Sequence, residues 1–185
     1  MAIKRLPRTD GHLAADIVAK LRSCPYDKIE RVWEALERVE KDEGRKRAMI
    51  RGLCLDDLYY LLVRGCKRVD MLHPWIYGRV REVEGSPNGH VDLWSREHYK
   101  STIITYGLTI SDVLNDPNVT IGLFSHTRPI AKAFLRQVKL EFEGNLLLKT
   151  LFPDVLWSNP PAQAPKWSED DGIIVKRAGN PKEST

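Results

Sequence analysis

Residues 95–102 read Ser95-Arg96-Glu97-His98-Tyr99-Lys100-Ser101-Thr102, and the predicted fold depends on this segment. It follows a short apolar segment that is predicted to be a strand and precedes a segment that is predicted to be a helix. In a phosphate-binding loop, backbone N–H groups and the first helical turn surround the phosphate, a lysine adds positive charge and a serine hydroxyl reaches Mg²⁺. The segment therefore predicts a nucleotide-binding loop of the Walker A type.

The loop departs from the usual pattern G-x-x-x-x-G-K-[ST] at two positions, because Trp94 and Tyr99 stand where glycines belong. A non-glycine residue in a left-handed conformation costs about 1 kcal/mol or more. Tyr99 therefore implies either a strained backbone or a loop of different path. Arg96 could stabilise charge on the γ-phosphate during transfer. The competing interpretation is a surface arginine before an ordinary helix start.

The N-terminal part of the sequence has a helical pattern. Apolar residues recur at spacings of three and four between residues 11 and 63, as expected for amphipathic helices. Asp56 and Asp57 precede an apolar run and suit a helix N-terminus. We expect that helix to end at Gly65 and another helix to cover residues 76–83.

The pattern changes after a turn signal at residues 86–89. Strands are predicted at residues 90–94, 119–124 and 172–176, and residues 158–171 are predicted to be a loop. Helices are predicted at about residues 100–114, from Pro129 onward and at residues 146–153. The order strand, loop, helix, strand, helix is typical of a parallel α/β unit.

The predicted fold class is therefore α/β, a partial P-loop NTPase-like parallel sheet with an N-terminal all-helical extension. We expect residues 1–74 to form the helical N-terminal region. Residues 75–177 would form a partial P-loop ATPase core, and residues 178–185 a polar tail.

Composition narrows the class of protein without identifying it. The 185 residues are 42% hydrophobic and 29% charged, which is ordinary for a globular domain. The net charge of +4 has two explanations of equal weight. One is a polyanionic partner such as DNA or a nucleotide, and the other is a mild excess of basic residues on the surface. Three cysteines without C-x-x-C spacing predict reduced thiols. Since no apolar run approaches the length of a membrane span, we expect no membrane partner and a cytoplasmic protein.

The loop at residues 95–102 resembles that of the large terminase subunit of tailed bacteriophages, the ATPase of the DNA-packaging motor. In that family the loop commonly reads S-R-x-x-G-K-[ST]-T or P-R-x-x-x-K-[ST]-T, with arginine at the place of Arg96. The resemblance covers about residues 56–177. It continues through these further segments: Asp57-Leu58-Tyr59-Tyr60-Leu61-Leu62, His73-Pro74-Trp75, Leu151-Phe152-Pro153-Asp154-Val155-Leu156-Trp157 and Pro165-Lys166-Trp167-Ser168.

The resemblance implies ATP and Mg²⁺ as cofactors. Lys100 would contact the β- and γ-phosphates, Ser101 would ligate Mg²⁺, and Arg96 would act with Lys100 as a catalytic residue at the γ-phosphate. The backbone lining the phosphates would come from Glu97, His98, Tyr99, Lys100, Ser101 and Thr102.

The resemblance also implies partners. These are double-stranded DNA, the small terminase subunit and the portal protein, in the cytoplasm of a bacterial host. The family binds adenine through groups upstream of the loop. Trp75 and Tyr77 are candidates for stacking on the base, with core packing as the alternative.

A P-loop ATPase also needs an apolar strand that ends in an aspartate holding Mg²⁺, next to a glutamate that positions water. Residues 119–124 end instead in Ser125 and His126, and residues 173–175 in Lys176 and Arg177. The family places its acidic strand shortly after residue 177. We therefore expect an incomplete N-terminal ATPase segment, weakly active or inactive alone. Two alternatives stay open: a non-catalytic DNA- or protein-binding α/β module with a degenerate P-loop, and an unrelated P-loop kinase or NTPase.

Overall fold

The computed structural model describes residues 11–86, 91, 93–95 and 97–177, so Arg96 lies outside the described residues. The chain divides into two compact units, residues 1–100 and residues 101–185. The described residues are mostly helical, and the strands among them form one two-stranded antiparallel sheet. The predicted α/β class with a P-loop NTPase-like parallel sheet is therefore wrong.

The first unit consists of helices. They are α1 Ala15–Ser23, α2 Tyr26–Val39, α3 Glu43–Asp56, α4 Leu58–Tyr60 and α5 Pro74–Gly85. Helix α4 continues directly into the π-helical turn Leu61–Gly65, and a 3₁₀ turn spans Val69–Met71. The helical pattern predicted for this part of the sequence is confirmed, including the end at Gly65.

Short polar side chains fix where these helices begin. The Asp57 carboxylate accepts a hydrogen bond from the Tyr60 backbone N–H at 3.0 Å, which makes Asp57 the N-cap of α4, as predicted. His73 accepts from the Trp75 N–H through Nδ1 at 3.1 Å, and Pro74 occupies the first turn of α5. Proline suits this position because it needs no N–H donor there.

Aromatic rings form the centre of the first unit. Trp33 is fully buried, and its ring centroid lies 5.6 Å from that of Tyr59 and 5.2 Å from that of Tyr60. Tyr59 in turn meets Tyr77 edge-on at 5.0 Å. Tilted and edge-to-face pairs of this kind are the arrangements that aromatic quadrupoles favour, so α2, α4 and α5 share one core.

A buried ionic cluster of Asp57, Arg81 and Glu84, called here the Arg81 cluster, lies beside those rings. Arg81 contacts both oxygens of Asp57 at 3.0 Å and Glu84 Oε2 at 2.5 Å. Glu84 Oε1 accepts from the Leu58 N–H at 2.7 Å. Burial, followed by the nearby charge of Asp57, raises the pKa of Glu84 against the opposing effect of Arg81.

The second unit begins with helical backbone and ends in a hairpin. The π-helical segment Thr102–Leu108 continues into α6 Thr109–Asn115, and α7 Arg128–Gly144, α8 Leu146–Leu151 and α9 Pro160–Gln163 follow. Strands β1 Trp167–Ser168 and β2 Gly172–Ile173 pair antiparallel, with Trp167 opposite Ile173 and Ser168 opposite Gly172. The helices predicted at about residues 100–114 and from residue 129 are confirmed.

Helix α7 organises the second unit through its buried and half-buried positions. Val138 and Phe142 are 1% exposed and belong to the core with Ile103, Ile110, Leu148 and Phe152. Two carboxylates on the same helix accept hydrogen bonds from aromatic side chains, Glu141 from the Tyr106 hydroxyl and Glu143 from the Trp167 indole, each at 2.6 Å.

Two of the three predicted strands are not strands. Residues 119–124 run as irregular backbone with Phe124 94% exposed, and residues 91, 93 and 94 are irregular as well; His90 and Asp92 lie outside the described residues. An apolar run becomes a strand only when another strand supplies hydrogen-bond partners. No described strand lies beside either segment. The third prediction is right for residues 172 and 173, whose partner strand β1 lies in the predicted loop.

None of the described helices is both long enough and apolar enough to cross a membrane.

Candidate functional site

The predicted nucleotide loop has an unusual backbone. Glu97 and Tyr99 adopt left-handed conformations, with φ of 66° and 59°, and helical backbone begins at Lys100. A left-handed residue directly before a right-handed one turns neighbouring N–H groups toward the same side, and such concave backbone binds anions. For Tyr99 the alternatives were a strained backbone and a loop of different path. The structure has the strained, left-handed backbone, at the position where nucleotide loops normally carry glycine.

An ion pair between Arg68 and Asp70 lies beside the Tyr99 side chain. Asp70 binds the Arg68 guanidinium through two contacts, 2.9 Å to Nε and 2.8 Å to Nη2. These contacts, with a further hydrogen bond from the Tyr99 side chain, hold the pKa of Asp70 below its usual range despite partial burial. The Tyr99 side chain therefore has a partner that glycine could not provide, which offsets part of the backbone cost.

Lys100, Ser101 and Thr102 lie at the start of the helical backbone, as predicted. Lys100 and Ser101 are exposed, and Thr102 is half-buried. An exposed lysine at a helix start adds its charge to the partial positive charge of the helix terminus. The polar groups near residue 100 are therefore suited to a phosphate.

An aromatic cluster lies next to the loop and includes His98. The Trp75 ring, 40% exposed, has its centroid 5.4 Å from that of His98 and 5.7 Å from that of Trp94. A hydrogen bond of 2.9 Å joins Ser95 Oγ to His98 Nδ1, and the Arg79 guanidinium lies 5.9 Å from the Trp75 ring centroid. His98, two residues before Lys100, is therefore in contact with the partly exposed ring of Trp75.

Trp75 and Tyr77, both predicted as candidates for base stacking, differ in exposure. Tyr77 is buried at 7% exposure, and its hydroxyl donates to the backbone oxygen of Cys24 at 2.5 Å. Tyr77 belongs to the core, whereas Trp75 presents part of its ring to solvent. The sequence could not separate the two, because both positions follow the same apolar pattern.

The described residues contain no preformed metal site. Ser101 is the one oxygen ligand predicted in the loop, and no group of three or more His, Cys, Asp or Glu side chains among the described residues could hold a metal ion. Asp57 belongs to the Arg81 cluster, and Asp56 accepts hydrogen bonds from His12 at 3.0 Å and the Leu13 N–H at 2.7 Å. Neither carboxylate is free to bind Mg²⁺.

Ser125 and His126 do not lie at the end of a strand. Both are exposed in irregular backbone, so the ligand position that a parallel sheet would have provided there is not formed.

Helix α7 carries a charged surface that was not predicted from the sequence. Arg128, Lys132 and Arg136 recur every four residues and therefore share one helix face. Arg128 and Lys132 pair with Asp170, and Arg136 pairs with Glu169. The four-residue spacing was visible in the sequence, but the acidic partners lie 33 or more residues away and were not.

Comparison of the chain with protein families, with curated proteins and with solved structures finds no match.

Proposed function

We propose that this chain is the N-terminal nucleotide-binding segment of a DNA-packaging ATPase of the phage large-terminase type. Alone, it binds ATP weakly through residues 95–102 and hydrolyses it poorly. The observation that carries the proposal is the backbone at Glu97 and Tyr99, left-handed at both residues and followed at once by an exposed lysine on the first helical residue. The order of motifs over residues 56–177 supports the same assignment.

In this proposal each part of the loop has a separate task. Backbone N–H groups of residues 97–102 bind phosphate oxygens, and the Lys100 ammonium adds a compact positive charge at the β- and γ-phosphates. Arg96 would stabilise charge on the γ-phosphate. The exposed part of Trp75 would stack on the base, since a large aromatic face contributes apolar contact.

Hydrolysis is expected to be poor because the chemistry needs a carboxylate that these residues do not offer. In P-loop ATPases an acidic residue holds the metal ion and a second polar group orients the attacking water. Asp56 and Asp57 have other partners, and the described residues contain no metal-binding group. We therefore expect this chain to bind ATP but to hydrolyse it poorly.

The test measures both quantities on the full chain. ATP should stabilise the folded chain by mass action and so raise its melting temperature. At an ATP concentration five times the dissociation constant, the stabilisation is about 1 kcal/mol. Lys100→Ala should abolish the shift in melting temperature. Lys28→Ala, which removes an exposed lysine from α2, should not. Turnover should stay near the background in all three proteins. Robust turnover that depends on Lys100 would refute the weak-activity part of the proposal.

The second candidate function is a non-catalytic DNA- or protein-binding module. Two observations favour this binding module. The described residues contain no parallel sheet, and α7 carries a row of cations. No ATP-dependent shift, together with salt-sensitive DNA binding, would support this function over the first.

A further inference from the structure

We infer that one face of α7 is a binding surface for the phosphate backbone of double-stranded DNA, and that the acidic turn of the β1–β2 hairpin competes for it. The α7 stripe consists of Arg128, Lys132 and Arg136, and the acidic turn, residues 169–171, contacts it through Glu169 and Asp170. This surface does not include residues 95–102, and its binding to DNA requires no ATP.

The cations of the α7 stripe form a row along the helix. Four-residue spacing places successive stripe residues about 6 Å apart along the helix axis and on the same face. Arg128 and Arg136 keep 76% and 60% of their side-chain surface exposed although both are paired. A long polyanion could therefore reach several members of the row at once. Arginine and lysine are the side chains that most often contact nucleic-acid phosphates.

The acidic turn pairs with all three cations of the stripe. Glu169 binds Arg136 through two contacts, 2.8 Å from Nε to Oε1 and 2.6 Å from Nη2 to Oε2. Asp170 Oδ1 lies 2.9 Å from Arg128 Nη2 and also contacts the Lys132 ammonium. These cations lower the pKa values of both carboxyl groups. The two carboxylates thus occupy the positions that phosphates would take.

The contacts that hold the acidic turn on the stripe are weak. Ion pairs between exposed side chains contribute little to stability and are screened by salt. The turn joins strands of two residues each. It also borders a cavity of about 310 Å³ whose lining includes Ile121, Leu135 and Val138, so it does not rest on close-packed core. A phosphate backbone gains affinity by releasing its counterions and could exchange with the two carboxylates.

The experiment titrates a short fluorescein-labelled DNA duplex with the full chain at several salt concentrations, without ATP. E169Q/D170N should bind at least about tenfold more tightly than the wild-type chain. D16N/D27N, which changes the net charge equally at two exposed positions of α1 and α2, should change affinity far less. K132Q/R136Q should weaken binding and lower the slope of log K against log salt by about 2.

Three results would overturn the inference. One is equal gains for E169Q/D170N and D16N/D27N, which would show a net-charge effect. Another is unchanged affinity and salt slope for K132Q/R136Q. The third is equally tight binding of poly-glutamate, which would make the stripe a site for acidic polypeptides. Circular dichroism of each variant should match the wild-type helical signal, so that a loss of binding is not a loss of fold.

Discussion

Asp57 serves three kinds of donor within the first unit. Its carboxylate caps α4 through the Tyr60 N–H, accepts from the Trp33 indole at 3.1 Å and pairs with the Arg81 guanidinium. The side chain has no exposed surface. Removing it would leave an indole N–H and a helix start without their acceptor and would leave the buried Arg81 with Glu84 as its remaining carboxylate, and such losses are costly.

We therefore predict that Asp57→Ala lowers the free energy of unfolding by about 3–5 kcal/mol. Asp27→Ala, an exposed position in the first turn of α2, should stay within about 0.5 kcal/mol. Urea denaturation followed by circular dichroism measures both variants. A loss below about 1 kcal/mol for Asp57→Ala would show that the Arg81 cluster is not formed as described.

Glu84 should make stability depend on pH. Burial raises its pKa above the ordinary value of 4.5, so the folded state binds the proton more readily than the unfolded state. Stability should therefore increase as pH falls from 7 toward 4.5. Glu84→Gln removes this contribution and keeps an acceptor for the Leu58 N–H. The wild-type minus Glu84→Gln difference in unfolding free energy should rise as pH falls, and a difference that falls would contradict the burial argument.

Tyr99 offers a direct test of the loop backbone. Alanine normally stabilises a protein relative to glycine because it restricts the unfolded chain. At φ of 59° the order should reverse, since a Cβ costs about 1 kcal/mol or more in the left-handed region. Both substitutions lose the hydrogen bond to Asp70, so their comparison isolates the backbone. Thermal unfolding should find Tyr99→Gly more stable than Tyr99→Ala, and the usual order would rule out the left-handed conformation.

The helices were predictable because their signals are local. Apolar spacing, Asp57 before an apolar run, and Pro129 near a helix start each act within a few residues. Strands depend on partners elsewhere in the chain, and periodicity carries no information about those partners. That difference explains why residues 100–114 were predicted correctly and residues 119–124 were not.

Hydrogen exchange tests whether residues 119–124, which were predicted to be a strand, are irregular in solution. Within the described part of the chain, the amides of residues 120–124 donate no backbone hydrogen bond, whereas Val138 and Phe142 lie within α7. We expect the amides of residues 120–124 to exchange rapidly and those of residues 138–142 to be protected. Protection of both segments would mean that residues 119–124 pair as a strand in solution.

The whole chain consists of two compact units, residues 1–100 and residues 101–185. The boundary predicted at residue 74 followed an interruption of the helical pattern at residues 72–75, which is a property of local sequence. Compactness depends instead on which side chains pack together. Trp75 and Tyr77, for example, contact Trp94 and Tyr59 respectively.

The candidate site was predictable to a similar extent. The type and spacing of residues placed Lys100 at a helix start, which the structure confirms. The exposure of Trp75, its contact with His98 and the acidic partners of the α7 stripe depend on the folded chain. Sequence spacing alone could not have identified them.

Calorimetric titration of ATP into the full chain measures whether Lys100 helps to bind ATP. We predict measurable binding that weakens at least about tenfold in Lys100→Ala and is unchanged in Lys28→Ala. A tenfold loss corresponds to about 1.4 kcal/mol, a realistic contribution for one charge on a phosphate. The absence of binding in the unmodified chain, or equal binding by both lysine variants, would show that Lys100 does not bind ATP.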